Sequence, residues 1–195
     1  MLDDRLKEVY EFCDSQGVPV MSHANESMGK DDAHDRLAGV CGWRTLAVAK
    51  EVSLSSLRIN AGHFGGDESD NDWTSEFVRL MAVHPRLQVY ADLGYWDALG
   101  SSDAARERLR NALNQKLPDG TRVVDRVMYG SDWLMMSQED GYERFPVTVR
   151  RVLDQMNLSS DDVARVMGRN ALSCFRLRRA IRTSSDARST TETGS

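Results

Sequence analysis

The feature that most constrains this chain is a repeated alternation of short apolar runs and amphipathic stretches. Val18-Pro19-Val20-Met21-Ser22, Leu57-Arg58-Ile59-Asn60-Ala61, residues 87–91 and residues 124–129 each read as a short buried strand. Between and around them, residues 3–16, 43–51, 73–83, 102–115 and 145–156 carry apolar side chains at helical spacing. In the first helix these are Leu6, Val9, Tyr10 and Cys13, with Gly17 ending it; in the third they are Trp73, Phe77, Leu80 and Met81. A leading helix followed by four strand-then-helix units predicts parallel strands covered by helices, adjacent in chain order. A doubly wound sheet and a (β/α)8 barrel both fit that pattern. Two short helices close the domain. Ser159 is the expected N-cap of the first, with Asp162 as a variant capping-box partner, and it ends near Gly168. The second runs over residues 169–177. Residues 183–195 are rich in Ser and Thr with almost no apolar side chains, the composition of a disordered tail.

Composition removes several classes of function. With 195 residues, 41% apolar and 28% charged, the chain can bury one sizeable core. Its 25 basic and 30 acidic residues give a net charge of −5, and no basic face stands out, so nucleic acid is not an expected partner. The apolar runs are too short to span a membrane, and the N-terminus lacks a signal-peptide pattern. Cys13, Cys41 and Cys174 are scattered, without a Cys-x-x-Cys pair, so a thiolate metal site is not expected. Reduced, mostly buried thiols in a cytoplasmic protein are. Gly62, Gly65 and Gly66 do not match a dinucleotide-binding turn.

In either α/β architecture the working residues lie just beyond the C-terminal ends of the strands. After the first strand comes Ser22-His23-Ala24-Asn25-Glu26, and after the second Gly62-His63-Phe64-Gly65-Gly66. Asp92-Leu93-Gly94-Tyr95-Trp96 follows the third, and Gly130-Ser131-Asp132-Trp133 the fourth. His and Asp are the usual nitrogen and oxygen ligands of zinc and similar metals. Either histidine alone reads equally as a core residue with satisfied ring nitrogens, and Asp132 alone as a loop cap. Their joint arrival at equivalent strand ends points to a site. Asp92 can face that site or hold the next loop. Tyr95, Trp96, Trp133 and Met135 can line a substrate pocket or pack loops on the rim. His34 lies in a polar loop. His84 precedes Pro85 at the entry to the third strand, the wrong end for chemistry.

Four segments, in order, carry a resemblance. They are Val18-Pro19-Val20-Met21-Ser22-His23, Arg58-Ile59-Asn60-Ala61-Gly62-His63-Phe64-Gly65-Gly66, Tyr129-Gly130-Ser131-Asp132-Trp133, and Gly168-Arg169-Asn170-Ala171 with Phe175. The series resembles the amidohydrolase-related family, in the branch containing aminocarboxymuconate-semialdehyde decarboxylase and related aromatic-acid decarboxylases and hydrolases. The resemblance implies a partial (β/α)8 TIM barrel in which this chain supplies strands five to eight with their helices. It implies one divalent metal, commonly zinc, with His23 and Asp132 as ligands and His63 orienting or deprotonating the metal-bound water. Asp92 and Trp133 are then candidates for the substrate pocket.

The family pattern also places a His-x-His pair after strand one, and no His-x-His occurs in this sequence. A complete barrel takes about 250 residues. The expectation is therefore the C-terminal half of a metal-dependent hydrolase or decarboxylase acting on a small organic acid or amide, with residues 1–177 as the partial barrel and 178–195 as a helix end and tail. The alternatives are a catalytically silent half-barrel serving as a remnant or interaction module, and a split enzyme whose other half is a separate chain. An open half-barrel exposes two sheet edges, so self-association or pairing with an N-terminal half is expected.

Overall fold

A computed structural model describes residues 4–25, 39–66, 73–84 and 86–177. The expectations for His34 and for residues 178–195 lie outside them. The elements run α1 (Asp4–Gln16), β1 (Val20–His23), α2 (Cys41–Val48), β2 (Leu57–Gly62), α3 (Trp73–Val83), β3 (Leu87–Asp92), α4 (Ala98–Ser101), α5 (Asp103–Leu113), β4 (Val127–Met128), α6 (Trp133–Met136), α7 (Phe145–Asp154), α8 (Ser160–Ala164) and α9 (Asn170–Cys174). The four strands form one sheet in the order β1-β2-β3-β4. Every pairing is parallel, with Val20 beside Ile59, Ile59 beside Val89 and Ala91 beside Val127.

The two faces of the sheet differ, as the period of two along a strand requires. Leu57, Ile59 and Ala61 of β2, Leu87, Val89 and Ala91 of β3, and Val127 of β4 are buried in the core with Leu46, Phe77, Leu80, Leu109, Val149 and Leu153 of the helices. The alternate residues make the other face: Met21 and His23, Arg58 and Asn60, then Gln88, Tyr90 and Asp92. Met21 is 68% exposed. Toward the start of the strands this face is closed by backbone carbonyls that accept from Arg58, those of Ser173 in α9 and of Gly17. Cys174 is buried there, and burial pushes its thiol up to about 11. Cys13 is half-buried and Cys41 exposed, so the expectation of mostly buried thiols holds only for Cys174. Cys41 opens the eight-residue helix α2, whose buried residues are Trp43, Leu46 and Ala47, and it lies off that buried face.

Two other expectations change. The fourth strand is only two residues long, because residues 123–125 form a 3-10 turn instead. Asp125 Oδ2 accepts from the Arg122 backbone N–H at 2.9 Å, closing that turn and delaying the strand. At the end piece, Ser159 does cap α8, its Oγ accepting from Asp162 N at 3.1 Å, but the Asp162 carboxylate turns away to pair with Arg122.

The outer edge of β4 is also not open. Asn170 Nδ2 donates to Val124 O at 2.8 Å and to Val127 O at 2.6 Å, and Tyr129 N donates to Val166 O at 2.6 Å. These groups alternate with the Arg126 and Met128 carbonyls that pair with β3, so the helical end piece occupies the edge a further strand would use.

Candidate metal centre

His23, His63, Asp92, Asp132 and Trp133 line one cleft of about 430 Å³, together with Met21, Ser22, Gly62, Gly130, Ser131 and Leu134. The parallel sheet is the cause, since strands running the same way deliver their following residues to the same mouth. The His23 and His63 rings meet edge to face with centroids 4.7 Å apart. A larger cavity of about 600 Å³ opens at the opposite end, among Met81, His84, Leu87, Gln88, Asp119 and Arg126. It surrounds the entries of β3 and β4, and His84 is its sole histidine; burial first, then Arg44, lowers the pKa of that ring.

His63 is held unusually firmly. Its backbone is left-handed, with φ 68°, as is that of Phe64, with φ 52°. Such conformations cost a side-chain-bearing residue about 1–3 kcal/mol and persist only where neighbours impose them. Here Phe64 is completely buried, its carbonyl accepts from Thr74 Oγ1 at 3.1 Å, and Gly65 N donates to Ala24 O at 2.7 Å. Gly65 has φ +67°, and a Cβ there would lie 2.5 Å from Trp73 Cβ, so the residue after Phe64 must be glycine. The ring of His63 is fixed by Nδ1 at 2.6 Å from Gly94 O. A carbonyl can only accept, so Nδ1 carries the proton and Nε2 is left as the basic nitrogen.

Asp132 sits at the start of α6 with φ 47° and ψ 50°, and its side chain makes no cap hydrogen bond. The reading of Asp132 as a mere loop cap fails on that geometry. The left-handed backbone turns it away from the helix N–H groups, and among the described residues no hydrogen bond to its carboxylate is formed.

Asp92 lines the cleft and also holds the following loop. It is 5% exposed and accepts three hydrogen bonds, from Asn60 Nδ2 at 2.7 Å, Gly94 N at 2.9 Å and His63 N at 3.2 Å. Trp133 is 70% exposed on the rim. Trp96 is instead fully buried, and Tyr95 donates to Glu139 Oε1 at 2.6 Å, a bond that with burial pushes its phenol up to about 12. Tyr95, Trp96 and Met135 do not line the cleft.

Asn60 and Gly94 are organising residues that the strand-end reading passed over. A signal for Asn60 was present, since Arg58 and Asn60 alternate with Leu57, Ile59 and Ala61 on an otherwise apolar strand. Gly94 offered none, because its role is a carbonyl direction.

An imidazole from His23 and a carboxylate from Asp132 are the donor types a divalent zinc takes. They match such a metal in kind and fall short in number: among the described residues no group of three or more His, Cys, Asp or Glu is placed to hold an ion.

The amidohydrolase family model matches residues 1–177. No curated protein matches the chain. Two solved structures are similar in fold, both of an amidohydrolase from Burkholderia multivorans. The one with bound HEPES has a TM-score of 0.56 at 16% identity over 90% of this chain and 59% of its own. The one with bound zinc has a TM-score of 0.50 at 16% identity over 90% of this chain and 58% of its own. The chain thus spans less than three-fifths of the length of either structure. With a family match that spans all the described residues and a four-stranded parallel sheet to carry it, the chain belongs to the amidohydrolase family.

Proposed function

We propose that the chain is the C-terminal half of a metal-dependent barrel of the aminocarboxymuconate-semialdehyde decarboxylase-like branch, contributing strands five to eight. Residues 1–177 are its barrel portion and 178–195 a helix end and tail. Hydrolysis or decarboxylation of a small organic acid or amide is the reaction class. The observation that carries the reading is the arrival of His23, His63 and Asp132 from three strand ends in one cleft, with His63 held so that Nε2 is its basic nitrogen.

In this reading His23 and Asp132 hold one zinc, and a bound zinc supplies an activated water with a pKa of about 7. His63 accepts a proton at Nε2 while the Gly94 carbonyl keeps Nδ1 protonated and the ring aimed. Its left-handed backbone and the buried Phe64 hold the imidazole against drift. Trp133, Met21 and Leu134 offer an apolar rim for the carbon skeleton of the substrate, and Asp92 forms the floor. The incomplete ligand group implies that other donors finish the metal site, from an N-terminal half or a second chain. The second reading is a catalytically silent half-barrel that serves as a remnant or interaction module.

Zinc titration against a chromophoric chelator separates these. Weak binding that is lost in both His23→Ala and Asp132→Ala, and mostly kept in His63→Ala, supports the metal site. Equal zinc affinity in all three variants and the parent chain would sink it.

A further inference from the structure

Asp92 accepts three hydrogen bonds at the cleft, all of them from the chain's own framework. Its Oδ1 accepts from the backbone N–H of His63 and of Gly94, and Oδ2 accepts from Asn60 Nδ2. Gly94 in turn supplies the carbonyl that takes the His63 ring proton. One carboxylate therefore holds both ends of His63, the left-handed main chain directly and the imidazole through a two-residue turn.

The surroundings are shaped to this carboxylate. A Cβ on Gly130 would come 2.8 Å from Asp92 Oδ1, one on Gly94 2.9 Å from the same atom, and one on Gly62 3.8 Å from Oδ2. Gly94 and Gly130 thus leave the space this carboxylate occupies, which a Cβ at either position would take. Beneath it Asn60 is 2% exposed, and its Oδ1 is buried without a hydrogen-bond partner. An amide with one end bonded and the other idle can be turned over, offering an acceptor where it now offers a donor.

We infer that Asp92, supported by Asn60, is the positioning residue that fixes the orientation and Nδ1-protonated tautomer of His63. The inference rests on the proposed role of His63 only for its catalytic consequence; the positioning is a property of the folded chain. The decisive element is an acceptor at Oδ1 rather than a negative charge. Asp92→Asn keeps that acceptor, and Asn60 turns its idle Oδ1 to receive the new amide.

The test uses the full chain, labelled with ¹⁵N at histidine, at a pH where the imidazoles are neutral. The His63 ring signals are assigned by their loss in His63→Gln. The parent protein shows His63 as the Nδ1-protonated tautomer. In Asp92→Ala the tautomers mix, and the His63 backbone amide exchanges about tenfold faster or more, the effect of losing one bond to a charged acceptor. Asp92→Asn and the exchanged pair Asn60→Asp/Asp92→Asn retain the parent tautomer. Asp92→Glu, whose carboxylate lies one methylene further from the backbone than the Oδ1 position, loses it.

An unchanged tautomer and amide in folded Asp92→Ala overturns the inference. If Asp92→Ala does not fold, Asp92→Asn decides: retention supports the acceptor role, and loss overturns it. Turnover in the protein completed with an N-terminal half separates this from the functional reading. A displaced His63 with turnover intact leaves the positioning standing and removes His63 from the chemistry.

Discussion

Replacing Asn170 by alanine should destabilise the chain out of proportion to the atoms removed. The Asn170 side chain is 4% exposed and donates at 2.8 and 2.6 Å to the carbonyls of Val124 and Val127, two completely buried residues. Each hydrogen bond contributes about 1 kcal/mol net, and a buried acceptor left without a donor costs about 1–3 kcal/mol. Partial relaxation of the two carbonyls places the total at about 2–4 kcal/mol. With a urea slope of roughly 2 kcal/mol/M, the unfolding midpoint falls by about 1–2 M. Equilibrium urea denaturation followed by far-UV circular dichroism measures this. Asn170→Leu, of similar volume, separates packing from hydrogen bonding and should cost nearly as much as alanine. Asn170→Asp should cost more, because a carboxylate cannot donate to two carbonyls. A loss under about 0.5 kcal/mol in Asn170→Ala, or full rescue by leucine, would refute the assignment of Asn170 as the tie between the end piece and β4.

Three other substitutions probe the packing around Trp96, the Arg122–Asp162 pair and the cleft. Gly66→Ala puts a Cβ within 2.1 Å of the buried Trp96 indole, so urea midpoints should register a loss of about 1–3 kcal/mol and tryptophan fluorescence should shift; a silent substitution would mean the indole is not seated there. Arg122 holds the Asp162 carboxyl below the usual carboxylate range, so the bond's contribution is full above about pH 4 and is lost as pH falls through the lower folded value. The stability gap between the parent and Asp162→Asn should therefore be flat at neutral pH, about 1–2 kcal/mol with Arg122 partly exposed, and close on acidification; a gap that widens in acid contradicts the pairing. Asp132→Asn, which removes the charge of a carboxylate that caps nothing and suits the left-handed backbone as aspartate does, should leave the unfolding free energy within about 0.5 kcal/mol of the parent while sharply reducing zinc uptake; a large loss of stability would mean a structural role.

The strands and helices were legible because their signal is local. β2 and β3 and helices α1 and α3 fall within about a residue of where hydrophobic spacing puts them, and α3 coincides at both ends. The cleft was legible for a topological reason: parallel strands in chain order deliver their next residues to one end, so His23, His63 and Asp132 could be grouped from strand order alone. What sequence could not give was direction. Asp92 reads equally as a substrate contact and a loop anchor until its three donors are located. Asp132 reads as a loop cap until its left-handed backbone rules that out. β4 looked like six residues of strand because Val123, Val124, Val127 and Met128 are all apolar and buried, whichever side of the Arg122–Asp125 turn they fall on.

The two edges of the sheet are not equivalent, and this bears on how a partial barrel can be completed. On β4 the outward carbonyl of Val127 and the outward N–H of Tyr129 are taken by Asn170 and Val166. A strand added there must first displace buried hydrogen bonds, at a cost comparable to the Asn170 substitution. On β1, among the described residues, no strand pairs on the outer side, and Met21 and His23 face outward from the core. Self-association through two open edges is therefore too simple a picture, because a partner meets one edge that is open and one that is already covered. A strand adding to β1 would bring its following residues up beside His23 at the mouth of the cleft. Under the proposed function, donors that complete the zinc site would therefore come from the His23 side, while β4, which leads to Asp132, is tied along its outer edge by the chain's own C-terminal helices.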